Sequence, residues 1–338
     1  MNVAPPLIPT PLGVLTGFLG SGKTTLLNRL LSDPSMRDTA VIVNEFGAIG
    51  IDHLLVESVA DDVVLLASGC VCCSAGDDLA DALVSMLKRR ADGVLPPFER
   101  IILETTGIAD PGALLQLLLA NEALAAEVRI QSIVTVVDGV SGIAAISRFS
   151  ECASQVAMAN RLLISKLDLV EQPQVDALMD LLQSMNRAAP ILLLNRDEPV
   201  TLLRLFDVPD GGLGFGAVAP LPDRSFRSTA GRDHAKSYRS FGLRWNEPTD
   251  WDDFTAWLEG LLLARGDSIL RMKGIVQVAG RDAPVVVQGV QHALYPPREL
   301  AHWPHAPNSE LVFVTREFSR EAALRSFREF LPYCVTVA

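Results

Sequence analysis

Nowhere in the 338 residues is there an apolar run of the eighteen or so positions that a membrane-spanning helix needs. The opening Met1-Asn2-Val3-Ala4-Pro5-Pro6 also lacks the basic-then-apolar build of a signal peptide. The expectation is a cytoplasmic chain with no membrane partner. Positive charge is scarce: 29 Lys and Arg face 40 Asp and Glu, for a net charge of −11. That balance excludes the basic stripe of a nucleic-acid surface. The five cysteines are odd in number, and three crowd into Cys70, Cys72 and Cys73, which rules out an ordinary disulfide framework. Internal repeats and low-complexity tracts are missing too. The remainder is ordinary: 49% hydrophobic and 20% charged residues describe a folded chain long enough for two domains.

The most informative stretch is Gly17-Phe18-Leu19-Gly20-Ser21-Gly22-Lys23-Thr24, which fits G-x-x-x-x-G-K-[ST]. A short apolar run, Leu12 to Thr16, precedes it and reads as a strand. Thr25 to Leu31 follows and reads as a helix, stopped at Asp33-Pro34. A loop of small residues between strand and helix lets backbone N–H groups wrap a phosphate chain at a positive helix end. Gly17, Gly20, Ser21, Gly22 and Thr25 belong to that cradle. Lys23 would reach the β- and γ-phosphates, and the Thr24 hydroxyl would take a place on Mg²⁺.

Short continuous apolar runs recur at Leu12–Thr16, Ala40–Asn44, Val63–Ala67, Ile101–Glu104, Ile133–Asp138, Leu162–Ser165 and Ile191–Leu194. They have the pattern of strands buried on both faces of a parallel sheet. Amphipathic helices are predicted at Leu79–Arg90, Gly112–Leu124 and Gln174–Met185, so residues 1–207 form a doubly wound α/β domain, a P-loop fold with mostly parallel strands. Residues 208–236 lose all periodicity and read as a linker. In residues 237–338, strands at Tyr238–Trp245, Ile269–Ala279, Val285–Ala293 and Leu311–Thr315 combine with helices at Trp251–Ala264 and Ser319–Leu331. That is a smaller α+β domain.

Two further motifs suit a nucleotide. Glu104 ends an apolar strand and would hold Mg²⁺ through water, while Gly107 can bring its N–H to a γ-phosphate. After the run Leu162–Ile164 comes Ser165-Lys166-Leu167-Asp168. The Asp168 carboxylate can accept from guanine N1 and N2, and the Lys166 stem can cover the ring. Adenine would leave that carboxylate unmatched. The three thiolates of Cys70, Cys72 and Cys73 are soft ligands suited to Zn²⁺ or another late transition metal. A tetrahedral site needs further ligands, for which Glu45, Asp52 and His53 qualify by type.

Together these motifs resemble the CobW-like family of P-loop GTPases. The resemblance runs through Gly17–Thr24, Asn44-Glu45-Phe46-Gly47, Gly50-Ile51-Asp52, Cys70–Cys73, Glu104-Thr105-Thr106-Gly107, Ala109-Asp110-Pro111, Lys166 and Asp168. It continues into Lys273-Gly274 and Gln288-Gly289-Val290, which look like the family's second domain. It implies GTP hydrolysis coupled to delivery of a metal ion, most often zinc, to a client metalloprotein. Lys23, Glu104 and Asp52 are then the candidate catalytic residues, and Cys70, Cys72, Cys73, Glu45 and Thr24 the candidate metal ligands. Three departures stand out. Ser165 takes the place of a usual Asn, Asn160 stands where Asp is common, and the histidines are scattered at His53, His234, His292, His302 and His305 rather than gathered in a storage tract. A GTP-binding zinc or redox sensor without useful turnover is the alternative from a different class. An ATP-dependent kinase using the same loop is a third reading, disfavoured by Lys166 and Asp168.

Overall fold

Continuous apolar strands must be covered on both faces, and in the first part of the chain they line up as one parallel sheet. The computed structural model describes residues 9–43, 63–67, 76–195, 201, 205–206, 237–303, 307–334 and 336–337. The strands are β1 (Thr10–Thr16), β2 (Thr39–Val43), β3 (Val63–Ala67), β4 (Arg100–Glu104), β5 (Val128–Asp138), β6 (Arg161–Ser165) and β7 (Ile191–Leu193). Their order across the sheet is β3-β2-β4-β1-β5-β6-β7, with every pairing parallel. Here β1 lies between β4 and β5, where the strand order reverses, the position beyond whose carboxyl end open α/β sheets bind their ligands. Helix α1 (Lys23–Leu31) returns from that end and buries Leu26, Leu27, Leu30 and Leu31 with Leu15, Ile102 and Val136.

The registers level the ends of β3, β2, β4 and β1, while β5 and β6 run on together past β1 to Asp138 and Ser165. Ala67 pairs with Val43, Val43 with Glu104, and Glu104 with Leu15. On the other side of β1, Thr16 pairs with Thr135 and Asp138 with Ser165. Every candidate residue among the described ones therefore starts from one rim.

Between β3 and β4 runs α2 (Gly76–Ala91). The single helix expected over Gly112–Leu124 is two, α3 (Pro111–Ala120) and α4 (Glu122–Glu127). Asn121 takes an extended conformation between them, and its side chain accepts from the N–H of Leu124 at 3.1 Å. Asp110 likewise caps α3, accepting from the N–H of Gly112 at 2.9 Å with Pro111 in the first turn. The Ala109-Asp110-Pro111 motif thus starts a helix. Phe206 is an unexpected core member: it is buried against β1, where a Cβ on Gly13 would lie 2.4 Å from its ring.

A second compact unit comprises Ser141–Met158, Gln172–Pro190 and Val208–Ala338. It takes in α5 (Gly142–Arg148), α6 (Ser150–Met158) and α7 (Gln172–Met185). Its sheet is antiparallel, with β8 (Tyr238–Trp245), β9 (Ile269–Val276), β10 (Val285–Val290), β11 (Ala293–Leu294), β12 (Arg298–Glu299), β13 (Ser309–Arg316) and β14 (Thr336–Val337). The strand expected over Val285–Ala293 is a tight hairpin instead, because Gln291 turns at φ 51° and lets Ala293 pair back on Val290. Helices α8 (Trp251–Arg265) and α9 (Arg320–Phe330) begin at the caps Asp250 and Ser319. They complete a core centred on Trp257, whose ring lies 5.0 Å from Phe327 and 5.8 Å from Phe254. Its Nε1 donates to Ser326 Oγ at 3.1 Å. Gly274 has a packing reason: a Cβ there would fall 2.4 Å from the Glu310 carbonyl. Beside it, burial brings the Lys273 ammonium down to about 7, with Arg271 and Arg298 adding to the shift.

Trp257 carries more of this core than its hydrogen bond does. Trp257→Ala is expected to cost about 3–5 kcal/mol and Ser326→Ala about 1 kcal/mol. Urea denaturation followed by the remaining tryptophans measures both. Equal midpoint shifts for the two variants would refute the packing explanation.

Candidate functional site

The phosphate-binding loop is shaped by its backbone before any side chain acts. Gly17, Gly20 and Gly22 have φ values of 145°, 73° and 98°, a region other residues enter only with strain. Gly17 also sits so close to β5 that a Cβ would lie 2.3 Å from the Val136 carbonyl. On the far side, a Cβ on Gly107 would lie 2.6 Å from the Leu19 backbone nitrogen. The segment after Glu104 and the loop are therefore in backbone contact, which only glycine permits there. The Ser21 N–H donates to the Phe18 carbonyl at 3.1 Å, and the first bond of α1 runs from the Leu26 N–H to the Gly22 carbonyl at 2.9 Å.

Inside this curl Lys23 is 8% exposed, and its Nζ donates to the carbonyls of Gly17 at 2.8 Å and Phe18 at 3.2 Å. The ammonium thus spans its own loop, where phosphate oxygens would compete for it. Among the described residues the buried Ser21 hydroxyl has no hydrogen-bond partner, the kind of inward polar atom that an oxyanion satisfies. Across 80 residues of sequence, the Thr24 hydroxyl donates to Glu104 Oε1 at 2.7 Å. Glu104 is only 4% exposed. One neutral oxygen and one carboxylate in contact at a helix N-terminus make a hard-oxygen pair fitted to a divalent cation. Below them Thr105 donates to Thr16 at 2.8 Å, joining the ends of β4 and β1. Thr25, on the first turn of α1, is exposed.

The expected base-recognition loop follows β6. Ser165, the departure from Asn, donates to the Ser21 carbonyl at 2.7 Å, so the shorter side chain ties this loop directly to the phosphate loop. Lys166 has φ 55° and opens the short turn Leu167–Leu169. Its Nζ contacts Asp138 Oδ2 at 2.7 Å, while Asp168 is exposed. No motif singles out Asp138, because its partner is 28 residues away; its one signal is that it ends the strand next to β6. The other departure, Asn160, serves the fold, since its Oδ1 accepts from the Ile133 N–H at 2.8 Å.

Gly17, Gly20, Ser21, Gly22, Lys23, Thr24, Glu104 and Gly107 thus come together at the rim, and Lys166 with Asp168 follows the adjoining strand. Asp52, Glu45, Cys70, Cys72 and Cys73 lie outside the described residues, as does the expected linker over 208–236. Among the described residues, no group of three or more His, Cys, Asp or Glu side chains is placed to hold a metal ion. Nor, among them, is any helix long and apolar enough to cross a membrane. Two other cysteines are described and both are buried. Burial pushes the thiol of Cys152 up to about 12 and that of Cys334 up to about 11, which suits packing rather than ligation.

Comparison with known proteins agrees with this geometry. The CobW/HypB/UreG nucleotide-binding domain matches residues 11–193, and the cobalamin synthesis protein cobW C-terminal domain matches residues 238–331. The chain is 30% identical over 319 residues to the zinc chaperone YjiA of Escherichia coli, covering 94% of this chain and 98% of that one. It is 26% identical over 315 residues to the zinc chaperone CobW of a Sinorhizobium species, covering 83% and 85% of the two. The crystal structure of Zn(II)-bound YjiA GTPase from E. coli superposes with a TM-score of 0.71 at 27% identity, over 96% of this chain and 99% of that one. The chain therefore belongs to the CobW family, with the nucleotide-binding domain shared by CobW, HypB and UreG followed by the CobW C-terminal domain.

Proposed function

We propose that this protein hydrolyses GTP and uses the cycle to bind zinc, or a related transition metal, and hand it to a client metalloprotein in the cytoplasm. The observation that carries the reading is the level of the strand ends: Ala67, Val43 and Glu104 stand in register across β3, β2 and β4. The sequence continues from Val43 into Asn44–Asp52 and from Ala67 towards Cys70–Cys73. The two strands that precede these segments thus end on the rim that carries Glu104 and the phosphate loop. The names of the relatives, zinc chaperones and a Zn(II)-bound GTPase, point the same way.

In this reading Lys23 leaves the carbonyls of Gly17 and Phe18 to neutralise the β- and γ-phosphates. Thr24 and Glu104 would hold Mg²⁺, which would supply charge neutralisation of the phosphate oxygens. Asp168 accepts from the guanine edge and Lys166 covers the ring. Gly107, which packs on Leu19, senses whether the loop holds a γ-phosphate. Cys70, Cys72 and Cys73 bind the metal cargo together with Glu45, and Asp52 assists hydrolysis from the same segment as Glu45. Residues 1–207, 208–236 and 237–338 serve as GTPase domain, linker and client-facing domain.

Removing the Lys23 charge tests the nucleotide half. Lys23→Ala is expected to lower GTP turnover roughly 100-fold or more, read by phosphate release. Turnover at the unmodified rate would refute the phosphate-loop assignment.

For the metal half, zinc affinity is measured by competition with a chromophoric chelator in nucleotide-free, GDP-bound and non-hydrolysable-GTP-bound protein. A coupling of about 1–3 kcal/mol between nucleotide and zinc is expected. Replacing Cys70, Cys72 and Cys73 together by Ser should abolish the site. In the unmodified protein the affinity should fall as pH falls, because each thiol must lose its proton to bind. Affinity untouched by the triple substitution would rule out these ligands, and affinity equal in every nucleotide state would rule out the switch.

A further inference from the structure

Lys166 holds a left-handed backbone conformation that strains any residue but glycine, and such strain persists where the surroundings over-determine it. The surroundings here are specific. The Gly139 N–H donates to the Ser165 carbonyl at 3.0 Å, and the Leu169 N–H donates to the Lys166 carbonyl at 3.1 Å. The side chain ends on Asp138 Oδ2 at 2.7 Å. Asp138 is itself fixed: it closes β5 opposite Ser165, and its Oδ1 accepts from the Val140 N–H at 2.8 Å. Backbone and ammonium are thus pinned at both ends of the lysine stem.

We propose that Asp138 is a positioning residue for guanine recognition, acting through Lys166. This rests on the reading of Lys166 and Asp168 as the base-recognition pair. The ion pair stabilises the fold little, since the Lys166 side chain is 36% exposed and water screens such pairs. Its consequence is for binding. A free lysine stem has large rotamer freedom that a ligand must quench, whereas a stem already held at its ammonium leaves less to be quenched. Asp168, two residues along the same short turn, is held in register by the same anchor. Ser165 fixes the distance from that turn to the phosphate loop through its bond to the Ser21 carbonyl. The device therefore sharpens the base end of the nucleotide and leaves the phosphate end alone.

Asp138→Asn keeps an acceptor for the Val140 N–H and removes the charge that holds Lys166. Titration calorimetry with GDP, ADP and inorganic pyrophosphate, each with Mg²⁺, reads the effect on the full chain. The expected result is a loss of GDP affinity of about three- to tenfold, unchanged pyrophosphate affinity and an unchanged melting temperature. Lys166→Met and the Asp138→Asn/Lys166→Met double variant complete a cycle, in which the double variant binds GDP no worse than Lys166→Met alone. Unchanged GDP affinity in Asp138→Asn, equal losses for GDP and pyrophosphate, or additive losses in the cycle would overturn the proposal. If Asp138→Asn does not fold, Asp138→Ser keeps a short acceptor for the Val140 N–H and replaces it in the cycle. Unmodified protein that binds GDP and ADP alike would refute the guanine reading itself, and the role of Asp138 with it.

Discussion

The rim chemistry depends on how closely the phosphate loop is wedged between its neighbours. Val136 on one side leaves no space for a Cβ at Gly17, and Leu19 on the other leaves none at Gly107. Backbone contact of this kind has few ways to yield, because interiors are close-packed and do not deform continuously. A ligand that moves the loop must therefore move the segment after Glu104, and the reverse also holds. The Thr24–Glu104 hydrogen bond lies across the same junction and joins the helix start to the end of β4. Ser165 adds a third tie from the end of β6.

This arrangement makes the loop a balance of opposed costs. Lys23 buries a charge that its own carbonyls partly satisfy, and the Ser21 hydroxyl is enclosed without a partner among the described residues. Neither is an economical way to stabilise a fold, since buried charges and unmatched hydroxyls cost free energy. Both are explained by a ligand rich in anionic oxygens. Sites that break local rules in this manner are where function is expected.

Much of this is legible in the sequence because parallel strands buried on both faces appear as continuous apolar runs, and because the loop and the Glu104 motif are local in the chain. Other features are not. The Leu-rich run through α3 and α4 hides the break at Asn121, whose single side chain outweighs the helical preference of its neighbours. Helix α6 has no amphipathic stripe to detect, since Cys152 to Met158 are all buried. The contact of Phe206 with Gly13, and the pairing of Asp138 with Lys166, join residues far apart in sequence and exist only once the sheet has formed. Ser165 reads as a weakened motif, yet its hydroxyl reaches the Ser21 carbonyl directly. The expected ligands Cys70, Cys72, Cys73 and Glu45 and the expected catalytic Asp52 lie outside the described residues.

In the proposed cycle, base-selective nucleotide hydrolysis and metal binding are one linked process. The decisive assay is steady-state phosphate release from GTP and from ATP, each followed across a titration of Zn²⁺. GTP is expected to be hydrolysed in strong preference to ATP, with a GTP rate that changes as zinc occupies the protein. Equal rates with both nucleotides, or a GTP rate indifferent to zinc throughout the titration, would refute the linkage.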